Sequence, residues 1–166
     1  MDCNKYRIAL EKLMSQYEQK NAAYGYAAHI SYDEFGKESY IIRLYDKVRR
    51  LKTLREHPEF PKADESIADT LGDAMTYCLM AIGSEVTRTL CYVCDDMGSL
   101  AHNITVCIME YIHENIEKYA YDGQDDNYEA AVLALRDSDE FNEDCFVLAI
   151  SFLNDLMFEN AKRNAE

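Results

Sequence analysis

Only two prolines, Pro58 and Pro61, and six glycines interrupt a chain of 166 residues. Proline removes a backbone donor and clashes with the preceding helical turn, and glycine gives up the most conformational freedom on entering a helix. A chain this poor in both has few points at which a helix must stop. Apolar residues recur at helical spacing along most of it, and few stretches alternate as strands do. The expected fold is all-α, a compact bundle of about six to seven helices. The length suits a single domain over residues 1–166 with enough bulk to bury a core.

The spacing predicts a first helix over 2–22 with Tyr6, Leu10, Leu13, Met14 and Tyr17 on one face. Residues 24–36, rich in tyrosine and bracketed by Gly25 and Gly36, read as a loop whose aromatics either line a pocket or pack onto the core. A second helix, 37–56, stops at the Pro58 and Pro61 segment, because each proline biases its predecessor away from helix. A third begins near Asp64 or Ser66, either of which can cap it, and runs to Ile82. Gly83-Ser84 and Gly98-Ser99 mark breaks or bends on either side of the next helix. Further helices are expected over 100–121, 128–136 and 142–163, with a polar loop at 121–127.

No apolar run reaches the roughly 18 to 20 residues of a membrane-spanning helix, and the first residues lack the charged-then-apolar order of a secretion signal. The expectation is a soluble cytoplasmic protein. Six cysteines scattered through apolar helical stretches read as reduced thiols. A net charge of −14 argues against nonspecific nucleic-acid binding, which requires cations to neutralise phosphates. A nucleotide ligand needs a local basic pocket or an accompanying metal ion.

Such a pocket has a candidate lining. Arg43, Asp46, Lys47 and Arg50 fall at i, i+3, i+4 and i+7, on one helix face. Tyr40, Ile41, Leu44, Val48 and Leu51 occupy the neighbouring face, so the charged stripe borders the core. The third helix carries Glu65, Asp69 and Asp73 at i, i+4 and i+8. Like charges at that spacing cost about 0.2–0.5 kcal/mol per pair, so a cation should offset them. Mg²⁺ held by Asp46, Glu65, Asp69 and Asp73 is one source; the basic stripe, reached across an antiparallel helix pair, is the other.

The segments Tyr24-Gly25, 42–52 (IRLYDKVRRLK) and 64–74 (DESIADTLGDA) resemble the nucleotide modification associated domain 1 family, over about residues 20–85. The resemblance implies a phage or bacterial protein acting in nucleotide metabolism or base modification, with Arg43, Asp46, Lys47 and Arg50 as its basic motif and Glu65, Asp69 and Asp73 as its acidic one. A second likeness is to the all-α MazG-like and dimeric dUTPase pyrophosphatases, whose second acidic motif Asp69 to Asp73 resembles. Their first motif is acidic too, whereas Asp46 here sits among Arg43, Lys47 and Arg50.

Three readings stay open. In one, the acids bind Mg²⁺ for phosphate hydrolysis while Arg43, Lys47 and Arg50 stabilise developing charge. In another, the cleft binds a nucleotide or nucleotide-derived signal without reaction, an anti-defence protein sequestering an immune signal being one form, with Tyr24, Tyr26 or Tyr32 stacking on the base. In the third, the stripes are a salt-bridge network with no ligand. Amphipathic helices in this number also suggest a dimer. Lesser motifs are Cys91-Tyr92-Val93-Cys94, with zinc-like spacing but an apolar helical context that favours buried thiols, and Glu110-x-x-His113, half of a di-iron pattern.

Overall fold

The computed structural model describes residues 3–23, 26–59, 66–89, 96–121 and 127–164. Among them the chain forms helices α1 (Cys3–Ser15), α2 (Tyr17–Ala23), α3 (Ala27–Phe35), α4 (Glu38–Glu56), α5 (Ile67–Thr89), α6 (Met97–Tyr119), α7 (Tyr128–Ala134) and α8 (Phe141–Arg163), with a 3₁₀ turn at Leu135–Asp137 and no strand among the described residues. The fold class is all-α, as the scarcity of breakers predicts. No described helix is long and apolar enough to cross a membrane.

Helix α5 is the centre of the bundle. Every residue from 78 to 84 is buried, so α5 has no solvent face along its middle. It packs most extensively on α8, with α4 and α6 also against it; α1 and α2 lie on α6, α3 on α4, and α7 on α4. The faces read from spacing are the buried ones: Leu10, Met14, Leu44 and Val48 are all 3% exposed or less, and Leu71, Leu79, Ile104 and Ile108 are as deeply buried.

Four local expectations are corrected. The first helix is two, because the chain tightens at Gln16, whose N–H bonds to Leu13 O at 3.3 Å in an i−3 turn. Residues 27–35 are helical and not a loop: nothing between Tyr26 and Phe35 breaks a helix, and Gly36, at φ 65°, terminates α3 with its N–H on Tyr32 O. Gly83 does not break α5. A Cβ there would lie 2.6 Å from Ile108 Cγ1 and 2.7 Å from Ile104 Cγ2, so the missing side chain is what lets α5 and α6 approach. Burying neighbours such as Leu79 and Ile82, each worth about 1.5–3 kcal/mol, outweighs the roughly 1 kcal/mol that glycine costs a helix. The separate helix expected between Gly83 and Gly98 is accordingly replaced at its start by α5, which continues to Thr89.

The start of α5 is capped by Ser66. Its Oγ accepts from Asp69 N at 3.2 Å and its own N–H donates to Asp69 Oδ2 at 2.9 Å, a reciprocal capping box. Helices α4 and α5 run antiparallel, since successive contacts pair Tyr40 with Ser84, Arg43 with Tyr77 and Lys47 with Asp73.

Candidate functional site

Antiparallel packing brings part of the basic stripe against part of the acidic one. Lys47 Nζ lies 2.7 Å from Asp73 Oδ2. One turn earlier on α4, the Arg43 guanidinium sits 5.8 Å from the centre of the Tyr77 ring, in cation–π range, and donates to Ser31 Oγ of α3 at 3.2 Å. Arg43 thereby lines a cavity of about 340 Å³ bounded by α1 to α5. Asp73, Thr76 and Tyr77 of α5 form one wall, and Tyr17, Lys20 and Asn21 of α2 the opposite one. Leu13 and Met80 make part of the lining apolar.

Behind the α2 wall is a buried polar chain. The Tyr17 hydroxyl meets His29 Nε2 and also receives Asn21 Nδ2 at 3.4 Å; His29 Nδ1 lies 3.4 Å from Ser84 Oγ, which is 2.9 Å from the Tyr40 hydroxyl. His29 is only 2% exposed, and burial lowers its pKa from 6.5 to about 4, so the ring is neutral at physiological pH.

The other expected site residues are distributed elsewhere. Arg50 is partly buried a turn beyond Lys47, outside the cavity lining, and Asp46 is exposed to solvent. Asp69 is engaged with Ser66 in the cap of α5. Tyr32 is buried, with its ring 5.6 Å from that of Tyr40 and its hydroxyl bonded to Glu85; burial and that carboxylate raise its pKa. Tyr26 takes a left-handed conformation at φ 57° before α3, its hydroxyl near Gly98 at the start of α6. Neither tyrosine lines the Arg43 cavity. Tyr24, Glu65, Cys91 and Cys94 lie outside the described residues.

Among the described residues no three His, Cys, Asp or Glu side chains gather as a metal site would need. Asp46, Asp69 and Asp73 in particular do not converge, and a cation on Asp73 would compete with the Lys47 ammonium already there. We therefore assign no step to Mg²⁺. Glu110 and His113 are exposed on the outer face of α6, whereas a di-iron ligand pair must project into a bundle core.

No protein-family model, curated protein or solved structure matches the chain.

Spacing along single helices found Arg43 and Asp73 but missed Tyr17, Lys20 and Asn21. Tyr17 reads in sequence as one more apolar position of the first helix. Its polar partner, His29, lies in what was expected to be a loop. The one local signal for the aromatic wall is Tyr77, which follows Asp73 at i+4 and so shares its face.

Proposed function

We propose that the chain binds a small anionic ligand carrying an aromatic ring, a nucleotide or nucleotide-derived molecule, in the cavity between α1 and α5. The observation that carries this reading is the convergence of Arg43 and Lys20 with the rings of Tyr17 and Tyr77 on one cavity of about 340 Å³. That volume is within the range of small-molecule sites, roughly 300–1,000 Å³. Over the whole protein a net charge of −14 repels anions. Screening confines such repulsion to about 8 Å at physiological salt, so the two cations at the cavity decide what enters. Arg43 offers a planar donor fork to phosphate. Asp73 repels phosphate from its own end and so orients the ligand, leaving Tyr77 for the ring. The resemblance of residues 20–85 to the nucleotide modification associated domain 1 family supports the nucleotide class. Sequestration of a nucleotide immune signal is one biological use that such binding without chemistry would serve.

A thermal-shift screen of linear and cyclic nucleotides, each with and without Mg²⁺, tests the reading. A ligand at a hundred times its Kd should stabilise the fold by about 2.7 kcal/mol. Arg43→Ala should remove that shift and leave the unliganded Tm nearly unchanged, because a partly exposed contact of this kind contributes about 0–1 kcal/mol. The reading fails if no nucleotide shifts the transition, or if Arg43→Ala keeps the full shift while losing unliganded stability.

A further inference from the structure

We infer that Asn21 reads an exocyclic amino group on the ligand's base, so that the cavity prefers amino-substituted bases to their oxo counterparts; this rests on the nucleotide reading of the same cavity. The inference follows the direction of hydrogen bonds through the buried chain behind the α2 wall. A phenol is a better donor than acceptor, and a neutral imidazole nitrogen is a better acceptor than a phenol oxygen. Tyr17 therefore donates its proton to His29 Nε2, and the ring hydrogen of His29 sits on Nδ1, facing Ser84 Oγ. Ser84 completes the chain through its bond with Tyr40.

With its proton donated to His29, the Tyr17 oxygen is the acceptor toward Asn21. Asn21 must turn its amide NH₂ toward Tyr17, the orientation in which Nδ2 lies 3.4 Å from the hydroxyl. Its side-chain carbonyl is then left for the cavity that Asn21 lines. The residue is 6% exposed and its Nδ2 is engaged by the Tyr17 hydroxyl, so the amide is held in the wall. A fixed carbonyl accepts from an exocyclic amino group and faces lone pair to lone pair with an exocyclic oxygen. With Arg43 on the phosphate, the ligand class is an amino-bearing nucleotide.

The experiment is calorimetric titration of the full chain with two matched pairs, adenosine against inosine 5′-monophosphate and cytidine against uridine 5′-monophosphate. A carbonyl left facing an unmatched oxygen should weaken binding about tenfold or more, so the amino member of whichever pair binds should be favoured by at least that ratio. Asn21→Leu should bring the ratio near one, and Tyr17→Phe, which frees the amide to turn over, should do the same if Asn21→Leu fails to fold. Equal binding of the two members by the unaltered protein, or a preference for the oxo member, overturns the role of Asn21 and leaves the cavity reading intact. Binding of neither pair overturns the role of Asn21, and the cavity reading is then decided by the wider screen of linear and cyclic nucleotides.

Discussion

His29 is the residue whose ionisation most directly reports the state of the cavity wall. Its unfolded pKa is the ordinary 6.5 and its folded pKa is about 4, lowered by burial. Between those values the unfolded chain binds more protons than the folded one, so stability rises with pH across the window. The contribution of His29 is complete above about pH 6.5, is lost as pH falls toward 4, and is bounded by about 3 kcal/mol. Carboxylates titrate in the same range, so the useful quantity is a difference. His29→Gln should unfold in urea with a shallower dependence on pH between about 7 and 4.5 than the unaltered protein, even where it is less stable at neutral pH. An unchanged pH slope would show that the imidazole is not held neutral by the fold. The same buried ring sets the direction of the Tyr17 and Asn21 bonds in the cavity wall.

At the scale of elements, Gly83 makes the sharpest prediction. Gly83→Ala raises helix propensity, and on that ground alone would stabilise α5 by about 1 kcal/mol. The new methyl group would meet the Ile104 and Ile108 side chains at under 3 Å, so α5 and α6 must separate or both isoleucines must repack. Overpacking of this kind costs about 1–3 kcal/mol, and the net change should be destabilising in chemical denaturation. Ile108→Val in the same chain should recover part of the loss, while a stabilised Gly83→Ala protein would mean that the two helices are not in such close contact. The opposite end of α5 illustrates a local device: the box between Ser66 and Asp69 satisfies backbone donors that the helix cannot pair internally, and it engages the Asp69 carboxylate there.

Across the whole molecule, the segments after α6 are tied back to the middle of the chain by a polar junction. Asp155 on α8 is 3% exposed; Arg55 at the end of α4 donates to its Oδ2 at 2.8 Å, and the Tyr128 hydroxyl of α7 does so at 2.9 Å. Tyr128 in turn stacks on Phe152 at 4.5 Å. Outside the junction, Arg49 and Lys52 both reach Glu129, exposed contacts of small individual value. Arg55→Met should cost about 1–3 kcal/mol, less than a fully buried pair because Arg55 is partly exposed, since a buried carboxylate is left with one phenol donor. Adding Asp155→Leu should return much of that stability, and a double-mutant cycle with no coupling would sink the assignment. This junction fastens residues 128–163 to α4 and gives the second half of the chain a role in holding the helix that carries Arg43.

The sequence by itself determined the all-α class, the buried faces of α1 and α4, the stop after α4 and a cap for α5 at Asp64 or Ser66, because each depends on residues within about one or two helical turns of one another. It also placed Arg43, Lys47 and Asp73 at the borders of their faces, from which their meeting followed once α4 and α5 turned out antiparallel. Tertiary structure alone decided which charges converge. Asp46 and Asp69 share helices with Lys47 and Asp73, yet one turns to solvent and the other closes a cap. The α2 wall was hidden for the same reason: Tyr17 and Asn21 meet the cavity, and through His29 the core at Ser84, only after α2 settles on α6 and α3 on α4. Gly83 is the plainest case. In sequence it is a weak point in a helix, and only the neighbouring isoleucines of α6 turn the absent side chain into a point of contact.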